Sequence, residues 1–390
     1  MYWTSTNLLK KTKSMRIWIV CYPTFWWSGI VATELGKELA IQWHKVHFIT
    51  YDQPIRLDVF AKNIFYHEVS VSNYPLFEYQ PYESALTSKL VDVVKHEKLD
   101  IIHVHYAIPH ATAAYMAQQI LKSQGIKIPF ITTLHGTDIT LVGRDESFEP
   151  VISFSLNNSS AITAVSESLK QDTYKHFHIQ KDIHVIPNFV NLSEYQGEEC
   201  VEIKEKFAKH GERILVHVSN FRKVKRVEDV MHIFAIVNKQ IPSKLLLIGD
   251  GPERSKLEKL CRELNLCDHI HFLGKIKKPE KLLKACDLFL LTSEAESFWL
   301  VVLESMAAWV PVISTNVWWL PEVNKNWFSG FLSNLWDIQD MAKNAMTILH
   351  DDTTLATFKK QAYQQAENFS VEKVVPLYTE VYKQTIKNHN

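Results

Sequence analysis

Residues 16–51 read RIWIVCYPTFWWSGIVATELGKELAIQWHKVHFITY. The run 16–22 is short, apolar and β-branched, the signature of a strand buried on both faces. Val31, Leu35 and Leu39 then recur at helical spacing, and 46–51 (VHFITY) is strand-like again. Strand, loop, helix and strand in that order open a parallel βαβ sheet. Working outward, 86–96 predicts a helix, 100–105 (DIIHVH) a strand, 111–123 a helix and 129–134 (PFITTL) a strand. Two short strands are expected at 161–165 and 184–186.

The same pattern restarts at Arg213. Strands are expected at 214–219, 244–248, 269–273, 288–291 and 310–314, with helices at 227–238, 253–264, 282–285 and 300–308. The chain therefore reads as two doubly wound α/β halves. Residues 1–14 are expected to form a flexible extension, 15–187 the first domain and 188–366 the second. A last helix, 367–390, is expected to return to the first domain. Ligands of such sheets bind beyond the carboxyl ends of the strands, so both halves should face one cleft.

Composition agrees with a folded chain of this size. It has 390 residues, 46% hydrophobic and 22% charged, with 43 cationic and 43 anionic side chains. Such balance gives no support for nucleic acid or an anionic membrane as the main partner. Five cysteines without zinc-ligand spacing suggest free thiols in a reducing cytosol. No run reaches the ~18 apolar residues of a membrane span. The opening MYWTSTNLLKKTKS lacks an apolar core, so no signal peptide is expected. Either Met1 or Met15 could be the true start.

Four stretches carry the chemistry. The loop 23–29 (PTFWWSG) joins the first strand to the first helix, where backbone N–H groups can hold an anion. Leu134-His135-Gly136-Thr137-Asp138 follows a strand and can present His135 to a reacting centre. Residues 220–226 (NFRKVKR) place four cations in five residues at a strand end, a plausible diphosphate clamp. In 294–304 (EAESFWLVVLE), Glu296 and Glu304 stand eight positions apart, able to reach different parts of one long ligand. The N–H groups of Leu300 and Val301 could take phosphate between them. His103, His105 and His110 have no accompanying carboxylate, so no metal site is expected.

Together these motifs resemble the retaining GT-B glycosyltransferases. The stretches YDQPIRL, HYAIPHATAA and NFRKVKR are similar to the members that open bacillithiol biosynthesis, over roughly residues 15–385. The resemblance implies two Rossmann-like parallel-sheet domains around a central cleft. It implies transfer of N-acetylglucosamine from UDP-N-acetylglucosamine to the 2-hydroxyl of L-malate, retaining the α anomer, in the cytoplasm. His135, Arg222, Lys225 and Glu296 are then the catalytic set. Glu296 would hold the sugar hydroxyls, and Arg222 and Lys225 would neutralise the departing diphosphate. Ser28, Gly29, Asn220, Gly251, Leu300, Val301 and Glu304 are donor-binding, with Glu304 on the ribose; Ser28 and Gly29 also face the acceptor. Tyr106, Thr137 and Asp138 are acceptor-binding. Neither metal nor other cofactor is expected, and self-association is left open. A different acceptor on the same fold, or a nucleotide-sugar-binding relic without turnover, are the alternatives.

One feature departs from that pattern. The chain has 11 glycines and 11 tryptophans, where average usage would give about 27 glycines. The resemblance leads one to expect glycine where Trp18, Trp26, Trp27, Trp43, Trp299, Trp309, Trp318, Trp319, Trp327 and Trp336 stand. Two explanations are open: a decayed or engineered chain, or a UGA codon that the organism reads as glycine.

Overall fold

The computed structural model describes residues 14–23, 27–54, 56–71, 79–140, 145–197, 201–276, 278–295 and 300–389, the side chains of Trp27 and Ser28 excepted. The first sheet contains β1 (Arg16–Val20), β2 (Lys45–Thr50), β3 (Ile64–Glu68), β4 (Ile101–His105), β5 (Phe130–Leu134), β6 (Ala161–Ala164) and β7 (Ile183–Val185). Their order is β3-β2-β1-β4-β5-β6-β7, and every pairing is parallel. The second sheet contains β8 (Arg213–Val218), β9 (Ser243–Ile248), β10 (Ile270–Gly274), β11 (Leu288–Leu291), β12 (Val312–Thr315) and β13 (Gly330–Ser333). Its order is β10-β9-β8-β11-β12-β13, again parallel throughout. Helices cover the faces of both sheets, which is why β1, β4, β5 and β11 are buried almost end to end.

Two strands escape the sequence pattern. β3 (IFYHE) is an edge strand whose residues are mostly half-buried or exposed, so it lacks a continuous apolar run. β13 (GFLS) has only four residues and begins with glycine. The first helix spans Trp27–Ile41 and so starts four residues before the apolar spacing marks it.

The chain crosses between the halves twice, and the two crossings are bonded to each other. The Val190 N–H donates to the Phe369 carbonyl at 3.0 Å, and the Val371 N–H donates to the Val190 carbonyl at 3.2 Å. The last helix, Val371–His389, then lies on the first half. Its Val374, Val375, Tyr378 and Tyr382 pack with Ile17, Ile19 and Leu35. The Tyr382 hydroxyl also meets His103 Nδ1 of β4 at 2.7 Å. Another apolar cluster joins Leu134 and Ile139 of the first half to Val301, Trp319 and Leu320 of the second. Glu322 of the second half accepts the N–H groups of Glu167 and Ser168 at 3.1 and 3.0 Å, capping a helix of the first.

Candidate functional site

Each strand order reverses direction once, between β1 and β4 in the first sheet and between β8 and β11 in the second. The loops leaving these four strands flank the crevices where such sheets bind ligands. Their described parts include sequence-marked residues: Pro23 after β1, Tyr106 after β4, 220–226 after β8 and Glu294 and Ala295 after β11. Tyr106 (φ 86°), Phe221 (32°) and Arg226 (48°) hold left-handed backbone at these strand ends. Such outliers persist where surrounding structure enforces them, and they gather at functional sites.

His135 is fully buried at the end of β5, with its Nε2 2.7 Å from Nδ1 of His105. The two rings stack at 5.0 Å. Burial holds both imidazoles well below their ordinary pKa; His103 and His110 further disfavour charge on His105, and His105 and His110 do the same on His135. Two neutral rings sharing one N–H fix each other's tautomer. The Tyr106 ring lies 5.2 Å from His135 and 5.3 Å from Tyr22, so the ends of β1, β4 and β5 converge. Thr137 opens the short helix Thr137–Thr140. Asp138 is buried and accepts the N–H groups of Ala107, His135 and Gly136 at 3.0, 3.2 and 2.9 Å. Its oxygens thus brace this loop to the one after β4. Burial pushes its carboxyl up to about 6, against the three N–H donors that favour the anion.

In the second half, β8 runs into the cationic loop. Arg222 is exposed and Lys225 half-buried, whereas Arg226 is bound to Asp229 at 2.6 Å and Glu294 at 3.1 Å. The run therefore divides by role: Arg226 ties its loop to the one after β11, and Arg222 faces solvent. The Glu294 N–H donates to the Val224 carbonyl at 2.9 Å, a second tie between these loops. Gly251 packs on Asn220 so closely that a Cβ would sit 2.1 Å from the Asn220 carbonyl oxygen. The two expected donor-binding positions therefore meet, and glycine is required there.

The helix Leu300–Ala307 starts where the sequence places the anion-binding N–H groups, with Leu300 and Val301 buried. Glu304 is 3% exposed. Burial pushes its carboxyl up to about 7, partly opposed by Arg56, which lies 3.4 Å away. Arg56 sits in the loop after β2, so this ion pair joins the two halves. Glu34, Tyr195 and Leu300 line the same narrow cavity. Sequence reading missed Arg56, His105 and Tyr22. Arg56 lies within YDQPIRL, and the HVH run of β4 marks His105 without naming its partner.

Gly29 is buried within the first helix, and its carbonyl accepts the Thr33 hydroxyl at 2.6 Å. Ser28 is helical. Glu296, with Trp26 and Trp299, lies outside the described residues. Among the described residues no group of three or more His, Cys, Asp or Glu side chains is arranged to hold a metal ion. Nor is any described helix long and apolar enough to cross a membrane.

Residues 28–194 match the model described as Glycosyltransferase Family 4, and 201–365 the model described as Glycosyl transferases group 1. The N-acetyl-alpha-D-glucosaminyl L-malate synthase of Bacillus anthracis is 43% identical over 376 residues, 96% of this chain and 98% of that protein. The alpha-monoglucosyldiacylglycerol synthase of Streptococcus pneumoniae is 25% identical over 69% of this chain and 64% of its own. Among solved structures, Alr3699/HepE of Anabaena in complex with UDP and glucose superposes with a TM-score of 0.78. It is 18% identical, covering 95% of this chain and 99% of its own. A glycosyltransferase of Rickettsia africae gives 0.78 at 19% identity, over 97% of this chain and all of its own.

Proposed function

Because the chain belongs to the group 1 glycosyltransferases and has their GT-B fold, we propose that it transfers N-acetylglucosamine from UDP-N-acetylglucosamine to the 2-hydroxyl of L-malate. The anomeric configuration is retained, and the product opens bacillithiol biosynthesis in the cytoplasm. The observation that carries this reading is the 43% identity, end to end, with the Bacillus anthracis L-malate synthase. In the reaction, the bond from sugar C1 to the β-phosphate oxygen breaks and a bond from the malate 2-oxygen to C1 forms. The hydroxyl proton leaves with UDP.

The residues support a division of labour. Glu304, buried beside Arg56, takes the ribose hydroxyls. Arg222 and Lys225, with the N–H groups of Leu300 and Val301, meet the negative charge that grows on the leaving diphosphate. Stabilising that charge is the main lever for a bond that breaks through an oxocarbenium-like state. His135, fixed by His105, faces the transferred sugar, and Tyr106 and Thr137 the acceptor. Cationic side chains and helix N-termini supply what a divalent ion would otherwise provide.

The test is to incubate the protein with UDP-N-acetylglucosamine and L-malate, following UDP release and the glycoside by mass spectrometry and NMR. An α-linked N-acetylglucosaminyl malate is the expected product. Turnover with inositol phosphate or a lipid acceptor, and none with malate, would reject the acceptor. UDP binding without turnover on any acceptor would reject catalysis.

A further inference from the structure

Eleven described residues other than glycine have a positive φ between 32° and 86°, and five of them are tryptophan: Trp43 (69°), Trp309 (63°), Trp318 (54°), Trp327 (63°) and Trp336 (69°). In this region Cβ crowds the following carbonyl oxygen, so glycine enters it freely and asparagine sometimes. A bulky aromatic residue there is an outlier, and one residue type supplying five outliers points to one cause.

The helix ends show what these positions are built for. After the helix Thr112–Ser123, Gly125 (φ 77°) is left-handed, the Ile126 N–H reaches the Leu121 carbonyl and the Gly125 N–H the Lys122 carbonyl. This is the Schellman closure, which favours glycine. After Trp27–Ile41 the same two bonds run from His44 to Leu39 and from Trp43 to Ala40. After Leu300–Ala307 they run from Val310 to Ser305 and from Trp309 to Met306. Trp43 and Trp309 thus occupy the glycine position of two complete glycine motifs. Nor does burial of the indole explain the choice: Trp43, Trp327 and Trp336 are 65%, 71% and 62% exposed.

Two further tryptophans fail in the opposite way. Trp18 in β1 and Trp319 are fully enclosed, and the Nε1–H of each has no hydrogen-bond acceptor among the described residues. A buried indole N–H ordinarily finds one. The Trp319 ring lies directly on Gly136, where a Cβ would come within 2.8 Å of it. It therefore fills the space beside the His135 loop, between the two halves.

We infer that glycine stands at positions 18, 43, 309, 318, 319, 327 and 336 of the working protein. One decoding rule, UGA read as glycine by the cell's own ribosomes, puts it there. The same rule covers positions 26, 27 and 299. With glycine present, both helix closures match that of Gly125, and the space over Gly136 becomes a ligand cavity at the mouth of the cleft.

Tandem mass spectrometry of peptides from the protein purified from its own cells decides this. Glycine at these positions is the expected result; tryptophan at 43, 309 and 318 overturns it. A second measurement needs only recombinant chain. Trp43→Gly, Trp309→Gly, Trp327→Gly and Trp336→Gly are each compared with the alanine variant at the same site. Both remove the indole, but only glycine removes Cβ. Each glycine variant should melt about 2 °C or more above its alanine counterpart. Equal or reversed melting temperatures overturn the backbone argument. Neither measurement involves donor or acceptor, so both are independent of the proposed reaction.

Discussion

Glu304 combines burial, a cross-half partner and a place at a helix entry, and its titration should be readable in ligand binding. With the carboxyl near 7, the ribose-accepting anion forms as pH rises from 6 to 8. Uridine, which has no phosphate to titrate, should bind more tightly across that range, and Glu304→Gln should flatten the dependence. Calorimetry at three pH values measures both; a flat profile for the unaltered protein would oppose the assignment. Glu304→Ala should weaken UDP binding by about 1.5–3 kcal/mol, the range for hydrogen bonds to a charged group. The cationic loop yields a second split. Arg222→Met and Lys225→Met should lower kcat more than they raise the donor KM, because the charge they meet grows in the transition state. Arg226→Met should instead lower the melting temperature, since its guanidinium is bound to Asp229 and Glu294. A pure KM effect at 222 and 225 would point to ground-state binding. The burial of Glu304 was legible from its neighbours Val301, Val302, Leu303 and Met306. Arg56 as its partner was not, because 248 residues separate them and only the closed fold brings them together.

Among the elements, the loop after β12 and the helix entry after β11 carry the next expectation. Trp318 donates its Nε1–H to the Glu294 carbonyl at 3.2 Å, and Trp319 covers Gly136. The chain with tryptophan at both positions should therefore turn over poorly. Glycine at positions 26, 27, 299, 309, 318 and 319 together should restore UDP release in the presence of malate. Equal activity from the two chains would show that the indoles obstruct nothing. Most elements were legible because the strands are continuous apolar runs, as in β8, and the helices repeat near 3.6 residues, as in Val227–Asn238. The failures have local causes. β3 alternates too weakly at its edge, and β13 is too short to show a period. The helices Glu149–Asn158 and Glu167–His176 mix polar residues through their turns, so their buried stripe is narrow.

For the whole molecule, the clearest expectation concerns acid. Burial lowers His103 to about 3 and His110 and His217 to about 4, and holds His105 and His135 well below the ordinary value. In the unfolded chain these imidazoles titrate near 6.5. The unfolded state then binds more protons between about 6.5 and 4, so stability falls as pH drops through that window. Asp138 and Glu304 act in the opposite sense: their raised carboxyls cost stability above about 6 and 7, and acid relieves that cost. His44, His47, His67 and His271 add to the lowered imidazoles, and Glu34, Glu38 and Glu83 to the raised carboxyls; the imidazoles still outnumber the carboxyls, so the melting temperature should be lower at pH 5 than at pH 7. Thermal melts across that range test it, and a melting temperature that rises on acidification would contradict the balance. The two-half plan was legible because the strand–helix pattern begins again at Arg213. The return of the last helix to the first half was expected from the sequence; the bonding of the two crossings was not, since it uses main-chain groups of Val190, Phe369 and Val371 that no side chain announces. Those bonds make the paired crossings a spine like that of a book. Any turning of the halves about that line would first have to part the Arg56–Glu304 pair and the Glu322 cap, and the gap so opened would widen with distance from the line. Substrates should therefore enter and leave at the fore-edge, while groups near the spine keep their spacing whether the book is open or shut.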